Sequence, residues 1–525
     1  MKSGEKNTNK ELYNELRVLP WEQLWTDEVA RFNRATPQER TARVAVVRAV
    51  GVVFSECGPQ EQKEEVRQWL LGLLQDPGEK VRRYAMTALP KIGAGTRGET
   101  ELLALLQKTT AEREKKFLGR TLDKIGGAAT LKVLETARGI LPQTEQKVKA
   151  IVARTQSPSV VRMDRVLLDF AKLRIHLRGR KGLEQIVRQE VEQSPLLRGR
   201  FRVAEVSSGV VALLPVAPFS LGDIYKLRCF GTVGFVLGSV RASNEAELIE
   251  AIASVIASPL SLRVLKTFTE GSIRYRLNFV AKGHQRGAVR SVANRAYALC
   301  PEILNDAQNA PWAMEIHPTG RGNSVELSPR LTPDPRYYYR QADVPAASHP
   351  PLAACMARLA GGCDNEVAWD PFCGSGLELI ERALLGGVQS VYGTDLSAEA
   401  IAVGESNFAA AKVRYVAAKF TCCDFRDFEG IEGLGPNTVS LIVTNPPMGR
   451  RVPIGDLQGL IDDLFSVAAT VLQPGGRLVF ANPLPTGTCP PALKLQTRQV
   501  VDFGGFNCRL EMYRKLARGT TRAGG

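Results

Sequence analysis

The chain has 525 residues, of which 44% are hydrophobic, 23% charged and 7% aromatic, and its formal net charge is +15. This length exceeds a single hydrophobic core, so roughly two to four domains are expected. No apolar run approaches the ~18 residues that a transmembrane helix needs, which argues against a membrane protein.

The N-terminal segment predicts no targeting peptide, because it lacks an apolar stretch and contains Glu5, Glu11 and Glu15. The ten cysteines form no C-x-x-C pair, and the four histidines are dispersed along the chain. We therefore expect free thiols, a cytoplasmic location and no structural metal.

The positive charge is confined to the first two thirds of the chain. The net charge is +6 over residues 1–150, +10 over 151–345 and −1 over 346–525. This partition favours a basic platform for a polyanion such as nucleic acid, joined to a neutral chemical module. The alternative is a basic surface that serves solubility alone.

Residues 1–150 have a repetitive helical pattern. The sequence L-P-K-I-G at 89–93 returns as L-D-K-I-G at 122–126, and apolar residues from Val81 to Ile92 follow one helical stripe. Helix pairs at this period indicate a short α-solenoid, and the second unit resembles a HEAT repeat. Such arrays bind proteins or extended ligands, so a protein partner is expected; the alternative is a helical cap without a partner.

Residues 151–345 alternate short β-rich runs with helices, which predicts a basic α+β domain. Arg286 and Arg290 are four residues apart on one predicted helix and are candidates for contact with RNA. The run R-Y-Y-Y-R at 336–340 is compatible with stacking on unpaired bases or with a strand whose aromatic residues pack internally.

Residues 346–525 alternate strands and helices, which predicts a doubly wound α/β sheet of the Rossmann-like type with seven strands. The predicted strands are 366–370, 390–395, 419–423, 439–444, 477–482, 499–503 and 508–514. The predicted helices are near 376–386, 398–411 and 456–472.

Four successive strands of this sheet end in polar or glycine-rich motifs. They are D-P-F-C-G-S-G at 370–376, Asp395, Asp424 and N-P-P-M at 445–448. The carboxyl ends of strands near a topological switch are where such sheets bind ligands, although an Asp there is often only a helix N-cap. The glycine turn contains no Lys and is not a Walker A motif.

This ordered set resembles the class I S-adenosylmethionine-dependent amino-methyltransferases. The resemblance implies S-adenosylmethionine as cofactor, with its methionine and ribose end lined by the glycine turn, its ribose hydroxyls bound at Asp395 and its adenine at Asp424. The implied cofactor residues are Asp370, Phe372, Cys373, Gly374, Gly376, Asp395, Leu396, Asp424 and Phe425. The implied catalytic residues are Asn445, Pro446, Pro447 and Met448, where Met448 replaces the usual aromatic residue.

The N-P-P motif suits transfer to an exocyclic amino group, whose lone pair is delocalised into the base. The Asn445 side-chain oxygen and the Pro446 carbonyl can accept both N–H bonds and direct the lone pair towards the methyl group. The prolines hold that carbonyl in place, so the site works by preorganisation and needs no general base.

Three stretches, 340–360, 370–382 and T-N-P-P-M-G-R-R-V at 444–452, are similar to RNA guanine-N2 methyltransferases that carry a THUMP RNA-binding module. The sequence G-L-E-Q-I-V-R-Q-E-V at 182–191 is similar to the start of their N-terminal module. This resemblance implies a THUMP-like region over 151–345, tRNA or rRNA as substrate, and Arg450 and Arg451 near a substrate phosphate. Two alternatives stay open: an adenine-N6 or protein-glutamine amino-methyltransferase, and a non-catalytic RNA-binding scaffold that retains the fold.

Overall fold

The computed structural model describes residues 4–93, 95–136, 141–156, 158–280, 285–345, 347–449, 454–484 and 489–517. The chain forms two compact units. The first contains Met1–Val160, Ala242–Ala257 and Thr269–Pro311, and the second contains Val161–Arg241, Ser258–Phe268 and Trp312–Gly525. Residues 151–345 are thus shared between both units, and the three-part division drawn from the sequence stays a prediction.

The first unit is mainly helical. Its α-helices are Gly4–Leu16, Trp21–Gln23, Ala30–Arg34, Pro37–Ala42, Ala45–Cys57, Lys63–Gly72, Glu79–Ile92, Gly95–Lys108, Glu112–Ile125, Ala128–Thr136, Pro142–Gln156, Glu245–Ile256 and Arg286–Leu299. Strands Ile273–Phe279 and Ile303–Asn305 pair in parallel, and Thr269–Glu270 is a short further strand.

Helix Glu79–Ile92 lies at the centre of the helical packing, and the apolar stripe predicted for it is buried from Val81 to Ile92. A Cβ on Gly51 would lie 2.7 Å from the Cβ of Ala88, so this helix packs closely against Ala45–Cys57. Its Arg82 Nε also donates to Glu114 Oε1 at 2.6 Å, which ties it to Glu112–Ile125. Successive helices therefore share one core, while their assignment as HEAT-like repeats stays a prediction.

The front part of the second unit contains an antiparallel sheet. The strands of this sheet that belong to the second unit are, in spatial order, Trp312–Thr319, Gly322–Pro329, Thr232–Val240, Arg174–Arg178, Val210–Pro215 and Phe201–Ser207. Its helices are Glu184–Gln193, Leu221–Ile224 and Pro259–Phe268, and the short strands Val166–Leu167 and Phe219–Ser220 pair with each other.

The rest of the second unit contains a seven-stranded sheet with helices between its strands. In chain order its elements are α1 (Pro350–Leu359), β1 (Glu366–Asp370), α2 (Leu377–Leu384), β2 (Val388–Asp395), α3 (Ala398–Ala411), β3 (Ala417–Cys422), β4 (Val439–Thr444), α4 (Leu457–Val471), β5 (Leu472–Asn482), β6 (Leu493–Asp502) and β7 (Asn507–Lys515).

The strand order is β3-β2-β1-β4-β5-β7-β6. The first five strands are parallel, and β7 is antiparallel to both β5 and β6. The chain moves outward from β1 to β3 and then returns to place β4 on the other side of β1. This reversal puts the topological switch between β1 and β4, with their carboxyl ends side by side. The predicted Rossmann-like fold is observed.

Among the described residues, no single helix is long and apolar enough to cross a membrane; Glu245–Ile256 and Pro259–Phe268 meet that length and composition only when taken together.

Candidate active site at the carboxyl ends of the sheet

The turn between β1 and α2 depends on glycine at two positions. Gly374 and Gly376 have φ angles of +49° and +79°, a left-handed conformation that side chains with a Cβ disfavour. A Cβ on Gly376 would also lie 3.4 Å from the backbone of Gly404 in α3. The glycines therefore allow the chain to reverse closely against α3 before the amides of α2 begin.

Asp395 holds this turn against the end of β2. Its Oδ2 accepts from the Gly374 amide at 3.0 Å and its Oδ1 from the Ser397 amide at 2.9 Å. The Cys373 amide donates to the Thr394 carbonyl at 2.9 Å. Asp395 is half-buried, and the neighbouring Leu396 is 75% exposed. The predicted residues of the first two strand ends are thus brought together.

Asp370 is fully buried beneath the turn. Its Oδ1 accepts from the Phe372 amide at 3.0 Å and from the Thr444 hydroxyl at 2.5 Å, which joins the ends of β1 and β4. Its Oδ2 is buried and has no hydrogen-bond partner among the described residues. Burial and the nearby Glu378 carboxylate raise the pKa of Asp370 well above its ordinary value, despite those two hydrogen bonds.

The end of β3 brings together the two predicted aromatic residues. The rings of Phe372 and Phe425 have centroids 4.9 Å apart at an angle of 56°. Asp424 Oδ1 accepts from the Arg426 amide at 3.0 Å, and its Oδ2 pairs with the Arg426 guanidinium at 2.9 Å. Asp424 therefore caps a 3-10 helix, Phe425–Gly430. The N-cap role is the alternative considered for such an Asp from the sequence, and the contact of Asp424 with an adenine stays a prediction.

Asn445 directly follows β4, and the two ends of its side-chain amide have different surroundings. Its Nδ2 donates to the Ser348 Oγ at 2.9 Å. Its Oδ1 is buried and accepts no hydrogen bond from any described residue. Pro446 is buried, whereas Pro447 and Met448 are half-buried. The site thus contains an amide oxygen whose hydrogen-bonding capacity is unused.

Two residues that were not predicted from the sequence, Ser348 and Glu378, form a hydrogen-bond chain with Asn445. The Ser348 hydroxyl, which accepts from Asn445, also contacts the Glu378 carboxylate in α2. Glu378 is 3% exposed. Burial raises the pKa of Glu378, while hydrogen bonds from the Ser348 hydroxyl and from its own backbone amide act in the opposite direction. A Glu within the apolar run of G-L-E-L-I was the available signal, since helical spacing places it inside.

Ser348 belongs to the lead segment, which we define as residues 336–349; Ala346 lies outside the described residues. Asn407 in α3 fastens this segment, because its Oδ1 accepts from the amides of Gln341 at 2.9 Å and Ala342 at 3.2 Å. The Asn407 Nδ2 donates to the carbonyls of Ala342 at 3.1 Å and Ser375 at 3.0 Å. The lead segment and the glycine turn are therefore held by one buried side chain.

The aromatic run in the lead segment is not a strand, which corrects one of the two interpretations of R-Y-Y-Y-R. Residues Pro335–Tyr337 form a 3-10 helix. Tyr337 donates to the Arg228 carbonyl at 2.5 Å, and the Tyr339 hydroxyl contacts Glu381. Both rings are buried, so they pack internally, and only Tyr338 is exposed.

Comparison with known proteins identifies this part of the chain. Residues 337–486 match the family UPF0020, described as an RMKL-like methyltransferase domain. A tRNA (guanine(10)-N2)-dimethyltransferase of Methanocaldococcus jannaschii is 30% identical over 155 residues, which are 28% of this chain and 41% of that protein. This segment is a methyltransferase domain. The match spans less than half the length of that curated relative.

Two further proteins are similar to this chain. A protein of Methanothermococcus thermolithotrophicus named "Probable tRNA (guanine(10)-N2)-dimethyltransferase" is 28% identical over 134 residues, covering 25% of this chain and 78% of that protein. The crystal structure of TrmN from Thermus thermophilus superposes with a TM-score of 0.52 at 20% identity, covering 66% of this chain and all of that chain. The latter similarity supports the fold.

S-adenosylmethionine is the cofactor of methyltransferase domains of this kind, and the residues present fit it. The cofactor is cationic at its sulfonium and amino groups. Asp370, Glu378 and Asp395 place three carboxylates around the glycine turn, and mutual repulsion with burial raises the pKa of Asp370. A cation nearby would relieve that repulsion. The buried Oδ2 of Asp370, which has no partner among the described residues, is a further feature that a positively charged ligand would satisfy.

The four arginines predicted to contact RNA lie in two parts of the chain. Arg450 and Arg451, which follow the N-P-P-M motif, lie outside the described residues. Arg286 and Arg290 are exposed on helix Arg286–Leu299 of the first unit, and neither forms an ion pair with another described residue. All four remain predictions.

Proposed function

We propose that this protein is an S-adenosylmethionine-dependent RNA methyltransferase that modifies the exocyclic N2 amino group of a guanine in tRNA or rRNA. The observation that carries the proposal is the buried Oδ1 of Asn445, which accepts from none of the described residues and lies at the switch point beside the glycine turn. An incoming amino group requires an oxygen atom that can accept a hydrogen bond from it.

The cofactor would lie along the carboxyl ends of β1 to β3. Asp370 and the amides of the turn at Cys373, Gly374 and Gly376 would hold its methionine end. Asp395 with Leu396 would contact the ribose, and the Phe372–Phe425 pair with Asp424 would contact the adenine. When bound, the cofactor supplies an electrophilic methyl group whose carbon–sulfur bond breaks as the new carbon–nitrogen bond forms.

The protein residues act on the amino group of the base. Asn445 Oδ1 and the Pro446 carbonyl would each accept one N–H, which localises the nitrogen lone pair and orients it for attack. After transfer the nitrogen loses one proton to water, so the residues of the N-P-P-M motif never exchange a proton. Met448 would contact the face of the base through its thioether group.

RNA as the substrate is supported by charge and by the relatives. Residues 151–345 carry a net charge of +10, while the methyltransferase part is nearly neutral. The two curated relatives are named as tRNA guanine-N2 dimethyltransferases. We assign a THUMP-like RNA-binding role to 151–345 and a HEAT-like, protein-binding role to 1–150. Ten free cysteines accord with a cytoplasmic setting.

The test is methyl transfer from labelled S-adenosylmethionine to total tRNA and to rRNA, followed by separation of the nucleosides. We expect label in N2-methylguanosine. Label in N6-methyladenosine alone would replace guanine by adenine as the target. Titration calorimetry with S-adenosylmethionine is run in parallel, since a protein that does not bind the cofactor would instead be a scaffold that retains the fold.

A further inference from the structure

We infer that Ser348 and Glu378 are positioning residues that determine which end of the Asn445 side-chain amide faces the target amino group. The inference rests on the proposed function, because it assigns a task to Asn445 in amino-group recognition. It concerns a hydrogen-bond chain of three side chains, Asn445 to Ser348 to Glu378.

The direction of this chain follows from the number of hydrogens. A serine hydroxyl has one hydrogen to donate and can accept from others. When that hydrogen is donated to the Glu378 carboxylate, Ser348 can only accept from Asn445. The amide must then turn its Nδ2 towards Ser348, as it does at 2.9 Å, and its Oδ1 towards the other side.

The opposite orientation of the amide would defeat the proposed chemistry. An amide with Nδ2 facing the target would meet the substrate amino group donor to donor. The two orientations have nearly the same shape, so packing alone discriminates poorly between them. A carboxylate behind the serine supplies that discrimination, because an acceptor-only group fixes the direction of every hydrogen bond that leads from it.

The hydrogen-bond chain is held in place by helices and strands whose contacts do not involve substrate. Glu378 is buried in α2, and Ser348 lies in the lead segment that Asn407 fastens to the glycine turn. Thr444, next to Asn445, donates to Asp370, which fixes the backbone at the end of β4. Asn445 is thus restrained through its side chain and through its neighbour, and its Oδ1 has no partner among the residues that the structure describes.

The decisive experiment is a double-mutant cycle on the full chain with N445D and E378Q. N445D alone places a second carboxylate against Ser348, whose single hydrogen cannot serve both, so we expect kcat to fall about 100-fold. In the double variant the amide at position 378 can donate to Ser348, and Ser348 can donate to the carboxylate at 445. The remaining oxygen at 445 is then an acceptor again, and kcat should recover at least tenfold over N445D.

The inference would be overturned if the double variant lost as much kcat as N445D and E378Q lose together when measured singly. A merely structural role of Glu378 predicts that outcome, because it predicts no recovery. S348A should lower kcat roughly 10-fold to 100-fold with little change in cofactor affinity, while S348T, which retains the hydroxyl, should restore most of it. Ser466→Ala is the matched control, because Ser466 is exposed on α4 and bonds only its own helix.

A readout without turnover separates this inference from the proposed function. The side-chain ¹⁵NH₂ signals of Asn445, identified by their loss in N445D, should show hydrogen exchange that accelerates at least tenfold in S348A but not in S348T. If the wild-type protein methylated no RNA while this pattern held, the proposed function would fail and the positioning would stand. Equal exchange in wild type and S348A would overturn the positioning even in an active enzyme.

Discussion

At the scale of single residues, the proposed function divides the site into groups for the cofactor and groups for the target. Asp395, which accepts from the glycine turn, is assigned to the first group, and Asn445, whose Oδ1 has no partner among the described residues, is assigned to the second. The sequence motifs singled out both residues, since each lies at the carboxyl end of a strand. They could not reveal that Ser348 bonds Glu378, because a hydrogen bond between residues 30 positions apart depends on the fold.

Asn445→Ala and Asp395→Ala are expected to have opposite effects. The first should abolish turnover and leave the Kd for S-adenosylmethionine nearly unchanged, because the lost oxygen is the one proposed to contact the amine. The second should weaken cofactor binding first, since it also releases the Gly374 amide. Calorimetry and single-turnover methyl transfer measure the two quantities. A tenfold loss of cofactor affinity in Asn445→Ala would contradict its assignment.

Met448 should contribute to binding of the base through a flexible and polarizable contact. Met448→Ala is expected to raise the KM for RNA roughly two- to tenfold, as loss of a thioether–aromatic contact would. Met448→Phe should keep or lower this KM, because a ring stacks on a base. The KM for S-adenosylmethionine is the internal control. An alanine variant with unchanged kinetics would exclude contact between Met448 and the base.

At the scale of elements, buried ion pairs join the strands and helices that carry the site. Glu366 at the start of β1 accepts from Arg382 of α2 at 2.7 Å and also contacts Arg477 of β5. The strand and helix pattern predicted these elements from their apolar periodicity. It did not predict that charged residues of α2 face inward, because the partners that neutralise them come from distant strands.

Glu366→Ala should destabilise the protein by about 3–5 kcal/mol, because it leaves two arginines buried without an anion. The measurement is thermal or urea unfolding of the full chain. Glu192→Ala is the control, since Glu192 forms an exposed pair with Arg188 and should change the free energy of unfolding by less than about 0.5 kcal/mol. Equal effects of the two substitutions would contradict the argument.

The Glu326 carboxylate should make the free energy of unfolding depend on pH. Burial would raise its pKa, but hydrogen bonds from His176 and Arg178 outweigh this and lower the pKa to about 2. A lowered folded-state pKa contributes stability above the unfolded value near 4.5, and this contribution is lost as the pH falls towards about 2. At neutral pH it is on the order of 3 kcal/mol.

The measurement for Glu326 is the difference in unfolding free energy between wild type and Glu326→Gln from pH 7 to pH 2. That difference should be largest near neutrality and shrink below about pH 4.5. Glu192→Gln should show no such trend, because the carboxylate that it removes is exposed. A difference that stays constant over this range would contradict the lowered pKa.

At the scale of the whole molecule, charge and chemistry occupy different parts of the chain. The charge partition could be counted from the sequence, and it predicted a platform distinct from the catalytic part. The distribution of residues 151–345 between two units could not be predicted, because segments such as Ala242–Ala257 join the first unit only through folding. Local periodicity identifies helices and strands but carries no information on which distant partner each one packs against.

Binding of tRNA should depend steeply on salt. If several phosphates contact the basic region, the affinity is expected to fall about 10²-fold between 50 and 200 mM salt. Substitution of exposed Arg286 and Arg290 by Ala should reduce the slope of log Kd against log salt by about one per residue. Filter binding or fluorescence anisotropy over a salt series measures this slope.

Arg295→Ala is the matched control for the salt experiment. Arg295 lies on the same helix but forms an ion pair with Glu250 at 2.6 Å. Its removal should leave the salt slope unchanged. A slope that responds equally to all three arginines would show that the helix contributes only bulk charge.

The lead segment also limits how this enzyme can be recombined with others. It precedes the sheet in the chain, yet Ser348 within it sits against Asn445, which comes 97 residues later. A chimera that joined a foreign front part to this chain at Pro350 would inherit the whole N-P-P motif and lose its serine. Exchange of substrate-binding modules between such enzymes should therefore transfer the lead segment together with the sheet, so that the Asn445 amide keeps its hydrogen bond to Ser348.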